Sequence, residues 1–318
     1  MQIDRLRYFL SERVSIQRKK DAGEPWPWTT DEILRDGIFC HIERERDRTT
    51  RWIIENWREP HADDPHLIVA LAIARLINRP ATLAEIGFPL PWSDEIGDRL
   101  IARYKRGEPC FYQQAYKTVA VAQAYGGGGM AHSFAKVVFP ALWAARDSLR
   151  PQPGDTCQAV CDRLTALPGW GLFLAGQVIA DLKYVEPLKS APDWTTFGVS
   201  GDGSRRGLNR ILGRPVNAAW REDAWYREAC KLRELIAPDL DALGLGGLHM
   251  QDLNNLACEY DKFERWSAEG VPPAKHYQPP GSKPVLRKTR PGRAPGPAPA
   301  PIAPPPSDWQ LPTELPVL

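Results

Sequence analysis

Two apolar runs of helical periodicity, separated by Pro168-Gly169-Trp170-Gly171, most strongly constrain how this chain can fold. Proline and glycine end a helix, and Gly171 permits a tight turn before the next run. That run carries apolar side chains at helical spacing: Leu172, Ala175, Val178, Ile179 and Leu182. The stretch therefore predicts two helices joined by a short hairpin turn.

The start of the second helix in this stretch is a candidate contact with DNA. Its unpaired backbone N–H groups and its helix dipole both favour a phosphate group at that end. Such a turn, formed by Pro168, Gly169 and Gly171, would hold a nucleic-acid backbone without reading its sequence. The alternative is an ordinary packing joint between two helices, and the tetrapeptide alone does not choose between the two.

Composition favours a helical globular protein with a different C-terminal segment. The chain has 318 residues, 43% of them hydrophobic, which suffices for a sizeable core, and its net charge of +2 requires any basic surface to be local. No strand-rich region or repeat is evident, so we predict an all-α fold over residues 1–270, with two lobes, around 1–150 and 151–270, as one option. Residues 271–318 are rich in Pro, Ala and Gly with interspersed basic residues, and we expect a disordered tail.

Cysteine usage and the N-terminus bear on location and cofactors. The six cysteines are scattered, form no four-ligand metal set and are expected to be reduced thiols. No apolar signal core or membrane-length run is present, so we expect a cytoplasmic protein with no membrane partner. The run Gly126 to Gly129 is not followed by the lysine of a nucleotide-binding P-loop. We therefore expect neither a metal nor a nucleotide cofactor.

Three charged blocks are candidates for chemistry. Residues 33–58 carry the densest charge, with arginines and carboxylates alternating around Thr50 and Trp52. That mixture suits a site that binds an anion and needs a base, whereas the alternative is a solvated helix with i,i+4 ion pairs. The other blocks are the glycine-flanked basic run at 201–210 and the charged run in a predicted helix at 250–268.

The order of these blocks resembles that of a family of phage enzymes. The matching residues are 27–39, followed by Arg44, Glu45, Asp47, Thr50 and Trp52, then 201–210, and then Asn255 with 258–262. Together they span most of residues 8–265 and look like the α-glutamyl/putrescinyl thymine pyrophosphorylase family, the amino acid:DNA transferases of bacteriophages that hypermodify thymine. The same helical module is similar to one found with 5-hydroxymethyluracil DNA kinases. One departure is Asp202, where the family pattern leads us to expect proline.

The resemblance implies a fold similar to that of helix-hairpin-helix DNA glycosylases. Lyase-type members of that class place a nucleophilic lysine two residues after the second glycine of the turn. Phe173 occupies that position here, so we expect no Schiff-base chemistry there. Asp193 follows the next helix closely enough to be the counterpart of the glycosylase aspartate. A monofunctional DNA base glycosylase therefore remains an alternative, and a non-catalytic DNA-binding module is a second.

The reaction that the resemblance implies is transfer of an amine onto double-stranded DNA carrying a modified thymine. A free amino acid, with glycine as the compact guess, or a polyamine would attack the 5-methylene of phosphorylated 5-hydroxymethyluracil and release phosphate or pyrophosphate. The enzyme must reach the base, and we expect it to flip the base out of the duplex. The leaving group needs cationic and backbone donors, and the amine needs a base.

Each of these needs has candidate residues. The phosphate would be held by Gly203, Ser204, Arg205, Arg206 and Arg210, with the glycines allowing close backbone approach. The amine would be bound and deprotonated in a cleft formed by two blocks: Arg44, Glu45, Asp47 and Arg48 from the first, and Glu259, Asp261 and Lys262 from the second.

Among the carboxylates, Glu45 and Asp261 are the preferred bases, and Asp47 and Asp193 are further catalytic candidates. The alternative is an ion-pair network between the two blocks that carries no chemistry. Should the reaction depend on magnesium after all, the candidate ligands would be Asp47, Asp193, Glu259 and Asp261. The sequence does not indicate an oligomeric state.

Overall fold

The computed structural model describes residues 2–112, 118–125, 129–270 and 277. Within these ranges the regular structure is helical and no strand occurs, which confirms the all-α prediction. None of the described helices combines the length and apolar character that a bilayer-spanning segment needs. The expected disordered tail at 271–318, apart from Tyr277, and most of the glycine run at 126–129 lie outside the described residues.

Most of the described chain is made of α-helices of four to twenty-one residues. In chain order they are α1 (Ile3–Asp21), α2 (Glu32–Asp36), α3 (Arg48–Ile53), α4 (Leu67–Ile77), α5 (Pro80–Ile86), α6 (Asp94–Lys105), α7 (Val119–Ala124), α8 (Met130–Ser133), α9 (Phe139–Ala144), α10 (Arg146–Leu149), α11 (Cys157–Thr165), α12 (Leu172–Leu182), α13 (Asp202–Leu212), α14 (Glu222–Ala242) and α15 (Met250–Ser267). Shorter elements are the 3₁₀ turns Arg44–Arg46 and Leu188–Ser190, and the π-helical turns Ile54–Arg58 and Phe134–Val138.

The chain divides into two compact units that interleave along the sequence. The first unit combines the residues up to Arg44 with the helices that follow Ser200, and the second runs from Glu45 to Val199. This division differs from the two consecutive lobes considered above, because α1 belongs with the last helices of the chain. The buried ring of Phe9 on α1 contacts the ring of Phe263 on α15, with centroids 5.2 Å apart.

The first unit is organised by the close pairing of α13 with α15. A β-carbon added at Gly207 would overlap the carbonyl oxygen of Ala257, and one added at Gly203 would overlap the sulfur of Cys258. Any side chain larger than hydrogen would therefore push the helices apart. The structure gives both glycines a helix-packing role in place of the predicted close approach to a phosphate.

The second unit is centred on the apolar helices α4 and α12, which pack against each other. Every residue of α4 is buried. In this core, Arg75 donates from Nε and Nη2 to the two carboxylate oxygens of Asp181 at 2.5 and 2.6 Å, and from Nη2 to Thr50 Oγ1 at 3.0 Å. A buried ion pair needs such hydrogen bonds to offset its desolvation. Thr50, noted in the first charged block, thus serves the core of its unit.

Candidate functional site

Two helices joined by a short turn are present where the hairpin was predicted, between α11 and α12. Pro168, Gly169 and Gly171 are exposed on this turn. Gly169 has a φ of +75°, and a β-carbon there would lie 2.8 Å from the Cα atom of Val121 in α7. Nothing lies within 4 Å of a β-carbon placed on Gly171, the N-cap of α12. Gly169 therefore has a packing role, and contact of the turn with DNA stays a prediction.

Three arginines converge on one buried carboxylate in the first unit. Arg206 Nε donates to Asp261 Oδ2 at 3.0 Å, and Arg210 Nε donates to Oδ1 at 2.9 Å. Arg265 Nε lies 3.3 Å from Oδ2. We refer to these four residues as the arginine cluster. Because Asp261 is fully buried among these partners, the structure gives it an orienting role and not the predicted role of a base reached by a substrate amine.

The arginines of the cluster differ in what they can still bind. The side chains of Arg206 and Arg265 are 32% and 37% exposed. Arg210 is nearly buried, and its Nη2 donates to Glu269 at 2.5 Å. Burial lowers the pKa of Arg210, but hydrogen bonds to Glu269 and Asp261 outweigh burial and leave that pKa raised. Arg206 and Arg265 are therefore the members of the cluster that a ligand can reach.

Arg205 and Ser204, both predicted to hold phosphate, are engaged inside the first unit. Arg205 donates from Nε to Ser200 Oγ at 2.6 Å and from Nη2 to the buried Glu222 at 2.7 Å. Ser204 is buried, and its hydroxyl oxygen accepts from the N–H of Gly201 at 2.9 Å, closing the first turn of α13. The structure therefore gives these two side chains the role of shaping the start of α13.

Glu259 and Lys262 bind each other and a neighbouring segment of backbone. Lys262 Nζ donates to both carboxylate oxygens of Glu259, at 2.9 and 2.7 Å, and to the carbonyl oxygen of Ile38 at 3.2 Å. Glu259 also accepts from the N–H of Cys40 at 3.0 Å. Burial lowers the pKa of Lys262, but the charge and hydrogen bond of Glu259, together with the nearby thiols of Cys40 and Cys258, outweigh burial and leave the pKa raised. This geometry is typical of a structural ion network.

Glu45 pairs with an arginine that the sequence reasoning missed. Arg58 Nη2 lies 2.7 Å from Glu45 Oε2, and the two side chains are 5% and 27% exposed. Arg58 ends the π-helical turn, a feature often found at functional sites, and its guanidinium lies 4.6 Å from the ring centre of Tyr184. Arg58 follows Ile54 by four residues and so lies on the apolar side of this run. That spacing was the sequence signal that could have indicated its burial. The pairing fixes one oxygen of a partly exposed side chain, whose other oxygen, Oε1, is buried.

The rest of the first charged block is divided between the two units. Asp47 caps α3 by accepting from the N–H of Thr49 at 3.2 Å, and Arg48 is exposed on the first turn of that helix. Arg44 belongs to the first unit, where it is buried and its backbone N–H donates to Asp252 at 2.9 Å. Burial of Arg44 argues against the predicted contact with a substrate carboxylate. That the two charged blocks line one cleft stays a prediction.

Asp193 anchors the start of α11. Its two carboxylate oxygens accept from the backbone N–H groups of Cys157 and Gln158, at 2.7 and 3.0 Å, and the residue is 1% exposed. Both oxygens thus satisfy donors that have no partner within their own helix. The structure argues against the predicted catalytic role of this aspartate.

Three of the alternative magnesium ligands are held by other partners within their own units. In the part of the chain that the structure describes, no three His, Cys, Asp or Glu side chains are grouped as a metal ion requires. Asp193 and Asp261 are buried against backbone N–H and arginine donors, and Glu259 is bound by Lys262. These carboxylates do not fit a magnesium ion in this arrangement.

Comparison with known proteins identifies the family of this helical chain. The family described as "5-hmdU DNA kinase, helical domain" matches residues 2–271, where 5-hmdU is 5-hydroxymethyldeoxyuridine. A protein of Bacillus phage SP10 named "5-hmdU DNA kinase" is 24% identical over 292 residues, which are 82% of this chain and 45% of that protein. The chain thus spans less than half the length of this relative, and no solved structure matches it. On the match over residues 2–271, the chain belongs to the family of 5-hmdU DNA kinase helical domains.

Proposed function

We propose that this protein acts in the modification of 5-hydroxymethyluracil in phage DNA. The observation that carries the proposal is the family match over residues 2–271. It is supported by a phage relative whose name describes a kinase for this nucleoside in DNA. The accessible arginines of the first unit agree with a substrate that carries phosphate groups, because guanidinium groups bind phosphate oxygens in pairs.

Within that role, the proposed reaction is transfer of an amine to DNA that is phosphorylated on the 5-methylene of the base. The nitrogen lone pair of an amino acid or polyamine attacks the methylene carbon. The bond from that carbon to the phosphate oxygen breaks, and the phosphate or pyrophosphate leaves with the bonding electrons. The proton of the amine passes to a carboxylate, and the glycosidic bond stays intact. Glycine is the first amine to test because it is the smallest of its class.

Glu45 is the carboxylate proposed to take the proton. It is partly exposed, and Arg58 holds one of its oxygens in place. A general base must be positioned and within reach of the proton that it removes. Asp193 and Asp261 are both 1% exposed or less, so neither meets this requirement.

A second candidate is phosphorylation of the hydroxymethyl group, which the name of the phage relative favours. Against it, the sequence contains no glycine-rich loop followed by the lysine and hydroxyl residue that bind nucleotide phosphates. Base excision, the third candidate, rests on the resemblance to glycosylases. Its aspartate would be Asp193, whose two oxygens hold the start of α11.

In the test, the protein is incubated with candidate amines and duplex DNA that carries the hydroxymethyl, phosphomethyl or pyrophosphomethyl base. The DNA is then digested, and the masses of the nucleosides are measured by mass spectrometry. Amine transfer gives a nucleoside heavier by the amine, together with free phosphate or pyrophosphate. A kinase gives the phosphomethyl base from the hydroxymethyl base and requires a nucleoside triphosphate. A glycosylase gives a free base and an abasic site.

A matched pair of variants tests the assignment of the base. Glu45→Gln should lower transfer by about 10²-fold or more, because general-base catalysis contributes that much. Glu55→Gln is the control, since Glu55 is an exposed carboxylate that is also paired with an arginine, Arg51. Equal activity of the two folded variants would show that Glu45 is not the base. The transfer reaction itself is tested separately, by the masses of the nucleosides.

A further inference from the structure

The arginine cluster presents two guanidinium groups beside a single carboxylate oxygen. Arg206 Nε and Arg265 Nε lie 3.0 and 3.3 Å from the same Oδ2 atom of Asp261. Because both nitrogens approach one oxygen, the two guanidinium groups are close neighbours. Asp261 is buried while both arginines are partly exposed, so the shared carboxylate lies beneath them and part of each arginine faces solvent.

The cluster has more cations than carboxylates to neutralise them. Three arginines are paired with Asp261 and Glu269, which leaves one positive charge in excess. Two like charges held side by side repel each other, and an anion bound between their exposed ends would relieve that repulsion. The surrounding arginines differ in this respect, since Arg5 has Glu264 and Arg7 has Asp239 as a partner.

The spacing of the two accessible arginines is set by helix packing. Arg206 lies between Gly203 and Gly207 on α13, and these glycines bring α13 into backbone contact with α15. Asp261 and Arg265 are one turn apart on α15. A pair of side chains that is already held in position loses less conformational entropy on binding than two mobile surface arginines do.

We propose that Arg206 and Arg265 form a binding site for a doubly charged phosphate, with Asp261 and Arg210 holding the two guanidinium groups in place. Guanidinium groups offer paired N–H donors that match phosphate oxygens. A phosphate monoester presents three terminal oxygens to the two guanidinium groups, whereas a carboxylate or a phosphodiester presents two. Two sources share this chemistry: a phosphate monoester on a DNA base and free inorganic phosphate. Binding of a phosphate monoester on a DNA base rests on the proposed function, whereas the existence of the phosphate site does not. Arg265 was not indicated by the sequence.

The experiment measures binding by the full chain at fixed salt and without any amine. The probes are an unmodified duplex, the same duplex with one phosphomethyl base, and inorganic phosphate. Arg206→Gln and Arg265→Gln are compared with Arg7→Gln, an arginine of similar exposure that is paired with its own carboxylates. Lysine variants at positions 206 and 265 are a second set of variants, which should fold because they retain the positive charge beside Asp261. Far-UV circular dichroism and the unfolding midpoint establish that each variant is folded.

Each glutamine variant should weaken binding of the phosphomethyl duplex by about tenfold or more, the usual effect of losing a charge-assisted hydrogen bond. Binding of the unmodified duplex should change little, and Arg7→Gln should change neither. If the site binds free phosphate alone, the variants should have a lower affinity for inorganic phosphate and an unchanged affinity for the phosphomethyl duplex. Unchanged binding of both phosphate probes in folded variants overturns the proposal, as does an equal loss for both duplexes. Because no amine is present, failure of the transfer reaction would leave this result intact.

Discussion

A β-carbon on Gly207 would overlap the carbonyl oxygen of Ala257, so α13 and α15 touch through their backbones. This contact sets the separation between the arginines of α13 and Asp261 of α15, and the ion pairs of the arginine cluster depend on it. The glycine-flanked basic block is therefore first a packing motif. Its arginines acquire their geometry from the packing.

Substitution of Gly207 by alanine should destabilise the first unit by about 3 kcal/mol, because the added methyl group meets backbone that cannot rotate away. Urea unfolding followed by circular dichroism measures the change. Gly247→Ala is the control, since nothing lies within 4 Å of a β-carbon at that position. If the two variants proved equally stable, the close packing of α13 on α15 would be contradicted.

Substitution of Gly171 by valine should separate DNA binding from folding at the turn between α11 and α12. Gly171 has a φ of −87° and open space around it, so the variant should keep its stability. If a DNA phosphate approaches this helix start, the side chain obstructs it, and affinity for any duplex should fall by about tenfold at fixed salt. A gel-shift titration measures the affinity.

The neighbouring Gly169→Ala variant should behave differently and should lose stability. Its φ of +75° is unfavourable for alanine, and its β-carbon would press on Val121. Thermal unfolding of the two variants tests this contrast. Unchanged DNA affinity in a folded Gly171→Val protein would remove the turn from the DNA interface.

Substitution of Asp193 by alanine should lower the free energy of unfolding by about 2 kcal/mol, since two backbone N–H groups at the start of α11 lose their acceptors. Activity per folded molecule should be retained. Chemical denaturation together with a turnover assay at low temperature measures both quantities. Full stability with complete loss of turnover would restore the catalytic role that the sequence suggested for this aspartate.

Alkylation should distinguish Cys40 from Cys258. Burial raises the pKa of Cys258 to about 12, whereas Cys40 is an exposed thiol. Only the thiolate reacts, so at pH 8 the thiol of Cys258 should stay protonated and unlabelled, and its labelling rate should rise as the pH increases towards 12. Peptide mass spectrometry after timed iodoacetamide treatment gives the rates. Rapid labelling of Cys258 in folded protein at pH 8 would be inconsistent with the raised pKa of this half-buried thiol.

Helical periodicity was sufficient to predict the all-α fold, because apolar side chains recur at helical spacing in elements such as α12. The turn at Gly169 was also predictable, since its proline and glycine end one helix before the next begins. The sequence does not show that α15 packs against Gly203 and Gly207. From the sequence alone, the two glycines predict close approach of the backbone to a phosphate. The sequence also could not show which charged residues pair with each other. Arg58 is not adjacent to Glu45 in sequence, and a π-helical turn leads to their contact.

The resemblance to phage thymine-modifying enzymes agrees with the family comparison at the level of phage hydroxymethyluracil modification. The specific likeness to thymine pyrophosphorylases and to helix-hairpin-helix glycosylases stays a prediction. The amine, the leaving group and the base are proposed through that likeness, and a direct measurement of the reaction tests them.

Phosphate release and amine incorporation should be coupled on one duplex, and measuring both together is the decisive test of amine transfer. The full chain is incubated with phosphomethyl or pyrophosphomethyl DNA and isotope-labelled glycine, and then with a labelled polyamine. Released phosphate and labelled nucleoside are counted in the same sample. We predict one labelled nucleoside for each phosphate or pyrophosphate released, with the glycosidic bond intact. Release of phosphate without any labelled nucleoside, or release of a free base, would contradict it.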